Sequence, residues 1–192
     1  MAPSGPQLAI DFVRRWAALA PQRRARLGKQ VPVAALQAAA LSHRDLGMRR
    51  YCLFLLDHFA NDQSAEVFRQ ALRDPVATVR EIALHGLACE RCRVAELDVA
   101  DVVSDLVGML ARDPSAEVRH KTVAVLARFV DRDGRARAAI GRAATADPDS
   151  AIRRVAQAVA DTGQPHVRRR KAALRDVRRT RRARNRRPQA GT

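Results

Sequence analysis

Asp74, Asp113 and Asp147 each stand six residues before an arginine, Arg80, Arg119 and Arg153, and each is followed by a proline. A carboxylate and a guanidinium at a recurring interval have two uses. They can line up as an anion-binding or catalytic ladder, or they can hold neighbouring units in register through charge-assisted hydrogen bonds. Recurrence favours the second use, because a pair that returns wherever a stacking geometry returns serves the stacking. Arg49 aligns with these arginines, but His43 stands at the aspartate position and no proline follows it.

A second cluster, His85-x3-Cys89-x2-Cys92, brings an imidazole and two thiols to one helical turn and its exit. These residue types bind zinc. A single CxxC lacks its partner pair, so a fourth ligand has to come from elsewhere, with His58 and Cys52 as candidates. A histidine inside a helix and cysteines in its last turn are more often packing residues. No metal or cofactor is therefore expected, and these three positions stand as secondary candidates.

The third feature is a dense run of cations. Arg168, Arg169, Arg170, Lys171, Arg175, Arg178, Arg179, Arg181, Arg182, Arg184, Arg186 and Arg187 face the single acid Asp176, a net of +11 out of the chain's +16. The rest of the sequence is only mildly basic. Guanidinium forks suit phosphate, and six phosphate contacts on duplex nucleic acid would give a slope of log K against log salt of about −5. The run holds no aromatic residue, so binding to DNA or RNA would be electrostatic and largely indifferent to base sequence. Repulsion between like charges at i,i+4 predicts a segment without helix until an anion neutralises it. A competing use is a solubilising polycation, or a docking peptide for an acidic protein or an anionic membrane surface.

The elements that must carry these residues are legible from internal repetition. Four segments align on Arg49, Arg80, Arg119 and Arg153, spaced 31, 39 and 34 residues apart. The preceding residue is apolar in each (Met48, Val79, Val118, Ile152). Three residues later stand Cys52, Ala83, Thr122 and Ala156, and seven later Leu56, Leu87, Leu126 and Ala160. Those positions share one helical face. The Asp-Pro pairs are expected to start three of the helices, with the aspartate as N-cap and the proline as first helical residue. Each such helix follows another apolar-periodic stretch, at Val33 to Leu41, Glu66 to Leu72, Val99 to Leu110 and Ala136 to Ala146. A further helix from about Gln7 to Leu19 places Leu8, Phe12, Val13, Trp16 and Leu19 on one stripe and is expected to cap the stack.

With Asp-Pro at the start of the second helix and Val-Arg a turn and a half later, residues 30 to 162 resemble the HEAT-repeat family. The resemblance implies an all-α fold, a right-handed α-solenoid of about four antiparallel HEAT-like helix pairs whose inner surface is formed by the second helices. The expected organisation is a cap helix and linker in 1–30, the repeat domain in 31–162, and the basic tail in 163–192.

HEAT-like scaffolds also host enzymes. Deoxyhypusine hydroxylases hold iron with His-Glu pairs, whereas the five histidines here are followed by Arg44, Phe59, Gly86, Lys121 and Val167. A DNA-glycosylase of this architecture would need aromatic residues beside a carboxylate, and the one tryptophan, Trp16, lies in the cap helix. Nothing picks out a bilin-lyase site. The implied role is a non-enzymatic scaffold, docking another protein through its helical face and nucleic acid through its tail. The alternative is protein scaffolding alone, with the tail on an acidic partner.

Composition agrees with this class. Apolar residues make up 47% of the 192, aromatics only 4%, and glycine and proline number nine each, which suits helices better than a sandwich of strands. Three cysteines, odd in number, do not make a disulfide framework. No stretch approaches a membrane span, and charges at Asp11, Arg14 and Arg15 interrupt any secretory signal, so a cytoplasmic protein is expected.

Overall fold

The computed structural model describes residues 5–19, 31–59, 64–88 and 99–162, and every regular element among them is helical. The linker 20–30, the segment 89–98 with Cys89 and Cys92, and the basic tail lie outside the described residues. The helices are α1 (Gly5–Ala18), α2 (Val33–Ser42), α3 (Leu46–His58), α4 (Ser64–Ala71), α5 (Ala77–Ala88), α6 (Val99–Arg112), α7 (Ala116–Leu126), α8 (Gly134–Ala146) and α9 (Ser150–Thr162). No described helix is long and apolar enough to cross a membrane.

Consecutive helices pack as four pairs: α2 on α3, α4 on α5, α6 on α7 and α8 on α9. Second helices also touch in sequence, α3 to α5, α5 to α7 and α7 to α9, while α2 meets α4 and α6 meets α8. The result is a two-layered solenoid in which each unit contacts its neighbours and buries a continuous core between them. The repeat positions carry that core. Val79, Val118 and Ile152 are buried before the aligned arginines, as are Cys52, Ala83, Thr122 and Ala156 three residues after them. Burial of Cys52 pushes its thiol up to about 12.

The α1 helix lies on α2 and α3 at one end. Its buried stripe is Ala9, Phe12, Val13 and Trp16, an i, i+3, i+4, i+7 set. Leu8, expected inside, is instead 40% exposed, because Ala9 takes the inward position and lets the backbone approach closely. Trp16 stacks near Phe12 at 5.9 Å and meets the edge of Phe59 at 5.0 Å between ring centres, so it joins the cap to the array.

The other end differs. Four and seven residues after the aligned arginine, the first three second helices bury Leu53, Leu84 and Val123, then Leu56, Leu87 and Leu126. In α9 the same places hold Gln157 and Ala160, both exposed. Ala160 was expected to be buried with the leucines, but among the described residues no further pair stacks on α9. Polar outer faces of this kind close repeat arrays.

One glycine is fixed by close approach. A Cβ on Gly86 would come 2.4 Å from the Phe68 ring, so α4 and α5 cross at a point where only hydrogen fits.

Candidate functional site

The turn between the two helices of each pair is built on one scheme, and it corrects the expectation about helix starts. Asp74, Asp113 and Asp147 are not N-caps. Their Oδ1 atoms accept the backbone N–H two residues on, from Val76 at 2.8 Å, Ser115 at 2.9 Å and Asp149 at 2.9 Å, folding the Asp-Pro dipeptide into a turn ahead of the helix. Caps come afterwards. Ser115 accepts from Val118 N–H, and Asp149 accepts from the N–H groups of Ala151 and Ile152. The proline therefore sits in the turn, outside the helix. In the first repeat His43 takes over the task, its Nδ1 accepting the N–H of Asp45 at 3.1 Å, while Asp45 caps α3 by accepting from Met48 N–H.

Into each turn reaches the arginine from the following helix. Arg80 Nη1 donates to the carbonyls of Asp74 and Pro75, Arg119 Nη1 to those of Asp113 and Pro114, Arg153 Nη1 to those of Asp147 and Pro148, and Arg49 Nη1 to those of His43 and Arg44. The other edge of the fork then spans to the next repeat. Arg49 holds Asp74 through Nε at 3.0 Å and Nη2 at 3.3 Å. Arg80 holds Asp113 at 2.8 Å through both nitrogens, and Arg119 holds Asp147 at 3.0 and 3.1 Å. Each guanidinium thus ties its own turn to the next one.

Burial is what makes these rungs firm. Side-chain exposures are 9% and 5% for Arg80 and Asp113, and 10% and 4% for Arg119 and Asp147. Ion pairs so enclosed hold only when their remaining hydrogen-bonding capacity is filled, which the carbonyls and backbone N–H groups do here. Hydrogen bonding to Asp113 and Asp147 raises the values of Arg80 and Arg119 above the ordinary guanidinium value, against the opposing effect of burial. Burial pushes the Asp147 carboxyl upward, but the bonds from Arg119 and from the Asp149 N–H outweigh it and leave Asp147 below its ordinary value. The last rung is open: Arg153 has the two carbonyls of its own turn, and no carboxylate closes its other edge among the described residues.

Residues 33–127 match the sequence pattern of the family described as HEAT repeats. The chain is a HEAT-repeat protein. The match spans the first three helix pairs of the HEAT array, and the fourth pair carries the same Asp-Pro turn and arginine beyond it. No curated protein matches the sequence. HEAT repeats are protein-interaction modules, and the family is typically a non-catalytic scaffold.

A groove of about 390 Å³ between α6 and α8 of the HEAT array backs onto the ladder, with Leu110, Ala139 and Arg142 beside Asp113, Arg119 and Asp147. Its buried charges are already engaged, Arg119 with Asp147 and Asp113 with Arg80. The layer of second helices offers something different. There a pocket of about 230 Å³ is lined by Phe54 and Asp57 of α3, Glu81, Ile82 and His85 of α5, and Lys121 of α7. Asp57 is 5% exposed, and its Oδ1 has no hydrogen-bond partner among the described residues. Its Oδ2 lies 3.3 Å from His85 Nε2. Lys121 pairs with Glu81 and with Glu117. Above the pocket Phe54 is 47% exposed, with Tyr51 at 5.9 Å and His58 at 4.7 Å between ring centres.

These positions bear on the metal candidates. His85 meets Asp57, a residue the sequence did not single out. Cys52 lies in the core, where burial pushes its thiol up to about 12. The His58 Nδ1 lies 3.0 Å from the Phe54 carbonyl of its own helix. Among the described residues no three His, Cys, Asp or Glu side chains converge on a metal position. A signal for the pocket was present in the sequence only as an out-of-place acid: Asp57 stands one residue after the buried Leu56, where the helix pattern faces inward.

A further network sits on the first-helix side. Arg69 of α4 bonds Asp105 at 2.7 Å and Asp101 at 3.2 Å, both on α6, and Glu66 on its own helix. It bridges the first helices of the second and third pairs.

Proposed function

We propose that this HEAT-repeat chain is a non-enzymatic, cytoplasmic binding module. It docks a protein partner through the exposed surface of its second helices and gains nucleic-acid affinity from the arginine-rich segment 168–187. On this reading 1–30 caps and links, 31–162 forms the docking array, and 163–192 is the electrostatic arm.

The observation that carries the proposal is the engagement of the array's buried arginines. Arg49, Arg80 and Arg119 are each closed on a carboxylate of this chain, so these three rungs have no free fork to offer a phosphate. The surplus of positive charge is concentrated beyond the array, with a net of +11 between residues 166 and 187. Segregation of that kind suits a polyanion contact that is adjustable by salt, while the aromatic patch around Phe54 suits a protein surface.

The test is binding of the full chain, and of the chain with the eleven arginines of 168–187 replaced by glutamine, to duplex DNA, single-stranded DNA and RNA over a salt series. Polyglutamate and heparin serve as controls. Nucleic-acid binding at physiological salt that the substitutions abolish supports the proposal. Equal retention by every polyanion, polyglutamate included, moves the function to a protein scaffold whose tail grips an acidic partner.

A further inference from the structure

We propose that the pocket between Asp57 and Phe54 receives an arginine side chain from the chain's own segment 168–187, so that the solenoid holds part of its basic arm in cis. The inference rests on that segment being the polycationic arm of the proposed function, and it adds a second, internal ligand for it.

Asp57 asks for such a ligand. A carboxylate with one oxygen unpartnered and the other on a single imidazole at 3.3 Å is under-compensated for its depth. Of the other charged groups lining the pocket, Glu81 is held by Lys121, which also reaches Glu117 outside it. The pocket is left with one carboxylate in excess, and one cation makes it neutral.

The form of the cation follows from the walls. Phe54 presents an exposed ring flanked by Tyr51, and Ile82 supplies an apolar side. A planar guanidinium stacks on such a ring while its donors fork onto a carboxylate, a combination that the compact, strongly hydrated lysine ammonium makes less well. The side chain of His85, 65% exposed, is free to turn aside as the guanidinium arrives.

Supply and reach favour the chain's own arm over an external peptide. Eleven arginines lie between residues 168 and 187, starting six residues after α9 ends at Thr162. At roughly 3.3 Å per extended residue, ten residues already reach about 33 Å, several helix spacings along the array. Tethering supplies an effective concentration on the order of millimolar, enough to load a contact that is weak when intermolecular. Arginines held in this way are withdrawn from nucleic acid, so the pocket tempers the arm.

The experiment is nuclear magnetic resonance of the full chain at low salt, following the His85 ring and the Ile82 methyl groups. The wild type is compared with the variant in which the eleven arginines become glutamine, each with and without Asp57→Asn. The expected result is a difference at His85 and Ile82 between wild type and the glutamine variant that disappears when Asp57→Asn is present in both. Phe54→Ala, which leaves the carboxylate in place, should shrink the same difference. Unchanged Val118 and Ile152 methyl signals show that the core is intact. Identical His85 and Ile82 signals in wild type and glutamine variant overturn the proposal, as does a difference that survives Asp57→Asn. The readout needs no nucleic acid, so its failure is separate from failure of the polyanion test. As a second measurement, Asp57→Asn should tighten heparin binding by the full chain on the order of twofold, the release expected when tethered occupancy is near one half.

Discussion

Two kinds of buried carboxylate occur in this solenoid, and they are treated in opposite ways. Asp113 and Asp147 lie in the turns and receive three donors each: Nε and Nη2 of an arginine from the preceding repeat, and a backbone N–H two residues on. Asp57, as deeply placed on the second-helix face, receives one imidazole contact and keeps Oδ1 unpartnered. The first arrangement recurs in the second, third and fourth repeats, at Asp74, Asp113 and Asp147, and the second occurs once among the described residues. Repetition marks what the stack needs in order to stand, whereas a costly feature found in one repeat alone marks what the particular protein does with the stack.

The sharpest way to break this contrast is to remove a closed carboxylate. Asp113→Ala leaves Arg80 enclosed without its partner and also undoes the turn before α7, so a loss of about 3–5 kcal/mol is expected in a urea titration. A loss below about 1 kcal/mol would mean that the ladder is ornamental.

A smaller effect is expected in acid. The folded-state value of Asp147 is depressed, so its contribution is complete above the ordinary carboxyl value and is lost as pH falls through the depressed one. Asp147→Asn should therefore flatten the fall in thermal midpoint between about pH 5 and pH 2, besides lowering the midpoint at neutral pH. An unchanged acid slope would show that other carboxyls govern it.

The open rung gives a further gradation. Arg153 makes only the two carbonyl contacts of its own turn, and Arg153→Ala is expected to cost about 1 kcal/mol, well short of the same change at Arg119. Equal losses at the two sites would imply a carboxylate on Arg153 as well. Smallest of all is the effect of Asp57→Asn, expected to change stability by less than about 0.5 kcal/mol, because it removes an under-compensated charge rather than a closed pair. A loss comparable to that of Asp113→Ala would place Asp57 among the structural carboxylates and remove the contrast altogether.

What could be read in the sequence follows from how local each feature is. Helix pairs, their apolar positions and the Asp-to-Arg interval are written within a dozen residues apiece and repeated, so register alone exposes Val79, Val118 and Ile152 as core and Arg80 and Arg119 as equivalent. The caps were harder. An Asp-Pro pair reads as N-cap and first helical residue when taken alone, but each aspartate is also the target of an arginine from the preceding repeat, and the turn that serves both moves the cap two residues on, to Ser115 and Asp149. Likewise Leu8 reads as part of the cap helix's apolar stripe, and only the approach of α1 to α2 and α3 decides that Ala9 faces inward instead.

The sequence by itself determined the family architecture, the equivalence of the four repeats and the placing of the positive charge in 168–187, because each depends on residue type and spacing along the chain. Tertiary structure alone decided which partner each charge meets. Asp57 and His85 are 28 residues apart, Arg80 and Asp113 are 33, and Glu81 and Lys121 are 40. Spacing shows that such residues recur. Only the stacking of one helix pair on the next brings their side chains within bonding distance, closing the carboxylates of the turns and leaving an oxygen of Asp57 without a donor among the described residues.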